Sequence, residues 1–254
     1  MTPPPELLLA WLLSGVRITA LCMAAPVFAH TGVPVRVRVA FAMVTASALA
    51  PALPAPPLAL GDSAVTIAGA VAGEAAAGLA LGFAARLVFD AIGLLGGFVS
   101  VQGGLGAASV IDPASGAATT ALSALLETVA VLIWLAIEGP AALLRGLRAS
   151  FDALPLGGGG PDTGSWLALA RLGAACFTIA VQLAAPVTVA MLLANLALGF
   201  VGRALPEVNL MALQLPAHVL LLLALLWLGA TPIGDALADV LSGWTATAVV
   251  PGVP

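Results

Sequence analysis

Six long apolar runs, at residues 7–29, 39–60, 64–111, 117–139, 166–200 and 208–233, leave this chain very few ways to fold. A helix crosses the hydrocarbon of a bilayer with about 20 apolar residues, so each run is long enough to span or nearly so. The third is long enough for two spans, with a break or bend at Arg86, Asp90 or the glycines at 93, 96 and 97. Six to seven hydropathy spans follow. Composition agrees: 61% of the 254 residues are hydrophobic, 8% are charged, and the mean hydropathy is +1.15. That is more apolar surface than one water-soluble core can hide, so lipid or partner helices must cover the rest. The fold class expected is an all-α membrane protein.

Punctuation divides the runs. Pro51, Pro54, Pro56 and Pro57 end the second helix near Ala50, since proline removes an amide donor and clashes with the preceding turn. Loops are expected at His30–Pro34, Pro51–Ser63, Asp112–Gly116, Leu154–Gly164 and Gly202–Glu207. The chain reads as one membrane domain, 1–254, in two helical parts: 1–155, a Gly-rich linker at 156–165 expected to act as a flexible hinge, and 166–254. The segment before Ala29 has a short apolar core and an Ala-type end but lacks a basic leader, and is kept as mature structure.

The net charge of −4 comes from 12 acidic and 8 basic residues, every basic one an arginine, so there is no cationic patch to grip nucleic acid. With the N-terminus outside and seven crossings, Arg36, Arg38, Arg86, Arg145 and Arg148 fall on the cytoplasmic side and Arg203 outside. Charges within apolar helices are costly and mark a site or a partner. Arg17, Glu74, Arg86, Asp90, Glu127 and Arg171 are such charges. Arg86 and Asp90, four apart, share a helix face and can neutralise each other. Glu74 and Glu127 lack a basic neighbour in sequence; they either pair with Arg17 or Arg171 across helices or relay protons. Gly69/Gly73, Gly78/Gly82 and Gly93/Gly97 repeat at the four-residue spacing that lets helix backbones approach, within the chain or toward other subunits.

Enzymatic signatures are missing: no GxxxxGK[ST], HExxH, CxxC or GxSxG occurs. His30 and His218 sit near helix ends, and Cys22 and Cys176 lie in apolar runs as ordinary buried thiols. Neither a catalytic residue, a metal site nor a cofactor is expected.

Read in order, several short segments carry a resemblance: Arg17; Ala25-Pro26-Val27-Phe28; Val33 to Arg38; Gly73-Glu74 with Gly78 and Leu81-Gly82-Phe83; and Gln102-Gly103-Gly104-Leu105 with Ile111-Asp112-Pro113. Ser150-Phe151, Leu154 to Gly157, Pro186-Val187 and Leu198 to Asn209 continue it, with Arg203-Ala204-Leu205-Pro206 and Asn209 the most diagnostic. The set resembles the FliR family of flagellar biosynthesis proteins, called SctT in injectisomes, over most of the chain. The resemblance implies bent helical hairpins wound into a helical export-gate assembly, partly raised to the periplasmic side of the bacterial inner membrane. It implies FliP-like and FliQ-like partners, an FlhB-like export switch protein, and unfolded secreted proteins in transit. Arg17, Glu74, Arg86, Asp90, Glu127, Arg203, Pro206 and Asn209 become buried polar or subunit-interface residues.

A pore plug is implied over 102–116, carried by Gln102, Gly103, Gly104, Leu105, Gly106, Ala107, Val110, Asp112 and Pro113. The glycines suit a loop that bends, and Asp112 suits the turn that follows. Departures from the family pattern are the small Ala107 and Val110, Glu207 in place of glutamine, Glu138-Gly139-Pro140 where Gly-His is common, and His218 near a usual lysine. The competing reading is a stand-alone secondary transporter passing protons through Glu74, Asp90 and Glu127.

Overall fold

The computed structural model describes residues 4–26, 28, 33–59, 61–103, 121–204 and 216–228, with 234–235 and 238–239. Every regular element among them is helical: α1 (Pro5–Ala24), α2 (Val35–Leu49) continued by a short 3₁₀ turn (Ala50–Ala52), α3 (Ala64–Gln102), α4 (Ala121–Ala136), α5 (Gly139–Ala153), α6 (Thr163–Ala204) and α7 (Pro216–Leu228). The chain is an all-α membrane protein. Four of the described helices are long and apolar enough to cross a membrane, or five counting the interrupted pair α4 and α5 as one span.

This count, over the described residues, is lower than the six to seven hydropathy spans expected, and α3 supplies part of the reason. The 64–111 run predicts a break or bend near Arg86, Asp90 or the glycines, and there is no break: α3 is continuous for 39 residues. No proline interrupts it, and Ser63 caps its start by accepting the Thr66 amide at 3.2 Å. A glycine costs a helix interior only about 1 kcal/mol, too little to stop an element whose burial continues at Leu81, Val88, Leu95 and Val99. The second run ends as expected, with the 3₁₀ turn carrying Pro51 directly after α2.

Residue contacts divide the chain into two compact units, the first holding the described residues to Val88 and those of Ile137–Ala174, the second Phe89–Ala136 and the described residues of Ala175–Val240. In the first, α1 and α2 are antiparallel: the Trp11 indole donates to Ser47 Oγ at 2.9 Å, and Gly15 sits under Met43. The opening stretches of α3 and α6 pack through Ala80, Ala84 and Leu169. Helix α5 is amphipathic, burying Ala142, Leu143, Gly146, Leu147 and Phe151 while Arg145, Arg148 and Asp152 stay exposed. In the second unit, Phe89 meets Trp134 edge-to-face at 6.0 Å, and Gly103 packs on Leu222 of α7.

Apolar side chains remain on the outside. Only 17% of the α2 span and 28% of the α6 span are buried, against 56% for α1 and 61% for α3. Val44, Val189, Leu193, Leu196 and Phe200 are all exposed. Surface this apolar requires lipid or partner helices.

A buried arginine–carboxylate knot in the first unit

Arg17 is wholly buried in the middle of α1, an apolar helix, and Glu74 on α3 is 1% exposed. The approach that joins them is set by glycine. A Cβ at Gly78 would collide with the Arg17 carbonyl, and one at Gly82 would lie 2.6 Å from Ala24 Cβ and 2.7 Å from the Leu21 carbonyl. The Gly78/Gly82 spacing therefore lets α1 and α3 run together at backbone contact. At that distance Arg17 Nε donates to Glu74 Oε2 at 2.6 Å.

The other guanidinium nitrogens reach α5. Nη1 donates to the Ser150 carbonyl at 2.9 Å and to its hydroxyl oxygen at 3.3 Å, and Nη2 to the Leu154 carbonyl at 2.8 Å. A helix leaves its last four carbonyls without partners, and its C-terminal end carries partial negative charge. The Ser150 carbonyl already accepts the Leu154 amide at 2.9 Å and takes Arg17 as a second donor, while the Leu154 carbonyl lies just past the helix end; Arg17 brings a positive charge to both. The Phe151 ring covers the guanidinium at 4.3 Å from its centroid. Glu74 uses its second oxygen on the loop after α5, Oε1 accepting the Gly157 amide at 3.0 Å. All three guanidinium nitrogens and both carboxylate oxygens are engaged, which is what makes a buried ion pair tolerable: desolvation costs several kcal/mol per ion unless every lone pair and proton is matched.

The start of the 156–165 linker is packed. Leu156 is 1% exposed, and Gly157 takes φ +73°, a conformation that favours glycine. A Cβ on Gly73 would fall 2.8 Å from the Gly159 carbonyl carbon, so glycine at 73 lets the loop lie on α3. Non-helical backbone within an apolar region is stable only where its polar groups are met, and Glu74 and Arg17 meet them. The loop ends at Asp162, which caps α6: Oδ1 accepts the Ser165 amide at 2.8 Å and its hydroxyl at 2.6 Å. Those bonds hold the Asp162 carboxyl below the usual carboxylate range.

The remaining sequence-selected residues are distributed differently. Glu127 is half-buried on α4, with Oε1 against Gly93 rather than beside an arginine. Ser123, one turn away, donates to the Gly93 carbonyl at 3.2 Å, and a Cβ on Gly96 would fall 2.6 Å from Ser123 Cα. Arg86, Asp90, Arg171 and Arg203 are exposed. Arg86 and Asp90 lie on the opposite side of α3 from the buried line Leu81, Val88, Leu95 and Val99. Of the paired glycines, Gly69 has open space around it, and Gly96 rather than Gly97 makes the tight contact. His218 is buried on α7. Gln102 closes α3 and Gly103 follows it, whereas Gly104, Leu105, Gly106, Ala107, Val110, Asp112, Pro113, Pro206 and Asn209 lie outside the described residues. Among the described residues no group of His, Cys, Asp and Glu could hold a metal ion.

Residues 8–243 match the family model described as bacterial export proteins, family 1. The chain is 32% identical over 201 residues to the flagellar biosynthetic protein FliR of Escherichia coli K12, covering 79% of this chain and 76% of that one. The chain belongs to the FliR family. It is also 32% identical to FliR of Bacillus subtilis 168 over 218 residues, 84% of this chain and 83% of the relative. With FliR of Caulobacter vibrioides it shares 28% over 223 residues, 88% and 89% of the two chains. Arg17, Glu74, Ser150 and Gly157 all fall inside the stretch matched by the bacterial export family model. Ser150-Phe151 and Leu154 to Gly157 carried the family resemblance, but their contact with Arg17 was not readable, because two of the acceptors are main-chain carbonyls and have no residue signature.

Proposed function

We propose that this chain is a non-enzymatic subunit of the flagellar type III export gate, joining FliP-like and FliQ-like subunits in an inner-membrane conduit for unfolded flagellar proteins, with an FlhB-like switch protein alongside. The observation that carries the proposal is the match to an export family over residues 8–243. The largely exposed apolar faces of α2 and α6 support it, since helices of this kind call for covering by other subunits or lipid. The knot serves here as the rigid element of the subunit: it fastens α1, α3 and the end of α5 together.

The plug is proposed at 102–116. Gly103, where a Cβ would collide with Leu222, gives that segment a fixed starting point on α7. The stand-alone proton transporter loses its first relay residue, because Glu74 has both oxygens committed to Arg17 and Gly157.

Expression of the chain in a motile bacterium lacking its own FliR tests the proposal. Restored secretion of flagellar proteins is expected, together with co-purification of the FliP-like and FliQ-like subunits. A monomer that neither associates nor restores secretion would overturn it. For the plug, deletion of residues 104–110 is expected to raise ion leakage across the inner membrane of the assembled gate; leakage equal to the parent would refute that assignment.

A further inference from the structure

The helices of the first unit bring four of its arginines to one level and two of its carboxylates to another. Arg38, near the start of α2, donates to Met23 Sδ at 3.8 Å near the end of α1, and Arg36 lies half a turn from it. Gly82 of α3 packs on Ala24 and Ala25 at that same end, and Arg86 follows one turn later. Leu87 in turn lies 3.7 Å from the Cβ position of Gly173 on α6, two residues after Arg171. Contact by contact, Arg36, Arg38, Arg86 and Arg171 come to one level, within about two helical turns, or roughly 10 Å. Arg36, Arg86 and Arg171 are exposed. At the other end, Glu6 and Asp62 line one cavity with Pro5 and the 55–59 turn. Between Glu6 and Met23 helix α1 rises roughly 26 Å, close to the hydrocarbon thickness of about 30 Å.

We propose that this arginine belt is an interaction surface for anionic phospholipid headgroups of the cytoplasmic leaflet, with Arg36 and Arg171 as its exposed contacts and the Glu6/Asp62 end facing away from the cytoplasm. The chemistry recognised is a phosphate monoanion. The source is lipid because the arginines stand at one depth on separate helices, one apolar span away from Glu6 and Asp62, instead of converging on one pocket; Asp90 stands one turn from Arg86 on the same face, so the contacts are Arg36 and Arg171. Arginine pairs with phosphate through a planar fork. Cytoplasmic loops concentrate basic residues, and anionic leaflets attract them. This surface does not rest on the export reading; it needs the starts of α2 and α6 to meet lipid rather than a partner subunit.

The test uses the full chain in neutral detergent, titrated with phosphatidylglycerol, phosphatidylcholine or inorganic phosphate while the thermal midpoint is followed. Phosphatidylglycerol is expected to stabilise the chain at lower concentration than phosphatidylcholine, with the difference shrinking in high salt. R36Q/R171Q is expected to weaken the phosphatidylglycerol response by about fivefold per arginine, while R36K/R171K keeps most of it and D62N leaves it unchanged. Equal responses to the two lipids, or an equal response to inorganic phosphate alone, would overturn the proposal. Should R36Q/R171Q not fold, orientation decides: with V35C or D62C in intact cells stripped of outer membrane, a membrane-impermeant maleimide is expected to label D62C only, and V35C only after lysis. Cys22 and Cys176 are buried and stay silent. The reverse pattern would refute the assignment.

Discussion

Two helix interfaces in this molecule start from the same sequence signature, a glutamate within an apolar helix packing near glycine, and end differently. In the first unit Glu74 lies fully buried between Arg17 and the Gly157 amide. In the second, Glu127 lies half-buried against Gly93, with a serine one turn away bonding the backbone. The difference is the arginine. Glycine spacing brings backbones together in both cases, but only where a fixed cation also binds the carbonyls at a helix end does the carboxylate become a structural anchor. A buried charge fixes a fold only when its whole hydrogen-bonding capacity is used.

The largest effect is expected from breaking one partner of the knot. Arg17→Ala or Glu74→Ala leaves the other charge buried and alone, a loss of about 3–5 kcal/mol; thermal unfolding in detergent should show a collapse of the midpoint, and cellular accumulation should fall. Next comes Gly78→Leu, which drives a side chain into the Arg17 carbonyl and separates α1 from α3 at a cost of about 1–3 kcal/mol or more; the same melt reads it. Glu127→Gln should change the midpoint little, within about 0.5 kcal/mol, and a loss as large as that of Glu74→Ala would erase the contrast between the interfaces. The smallest effect belongs to Asp162→Ala at the exposed α6 cap. Its carboxyl is held below the usual range, so its contribution is present above the ordinary carboxylate pKa and fades as the pH falls through the lowered value. Melts from neutral to strongly acid pH should converge for parent and variant.

Much of this was legible beforehand and some was not. Arg17 and Glu74 stood out as charges where charge is expensive, and Gly78/Gly82 as a spacing that permits close approach. The partners of Arg17 on α5 were hidden, because main-chain carbonyls acquire directional importance only at a helix end. The approach of the Gly-rich 156–165 segment to Gly73 was hidden too, since glycine composition does not show which backbone a loop lies against. Continuity of α3 was likewise ambiguous, as its glycines serve contact with Ser123 and Glu127 and not a turn. The exposed positions of Arg86 and Asp90 follow from which face of α3 meets neighbours, something four-residue spacing alone leaves open.

The most direct test is a double-mutant cycle on Arg17→Leu and Glu74→Leu, read as unfolding free energies of the full chain. If the knot anchors the first unit, each single substitution costs several kcal/mol and the double variant costs clearly less than their sum, with a coupling of about 1–3 kcal/mol. Additive losses with no coupling would contradict the account.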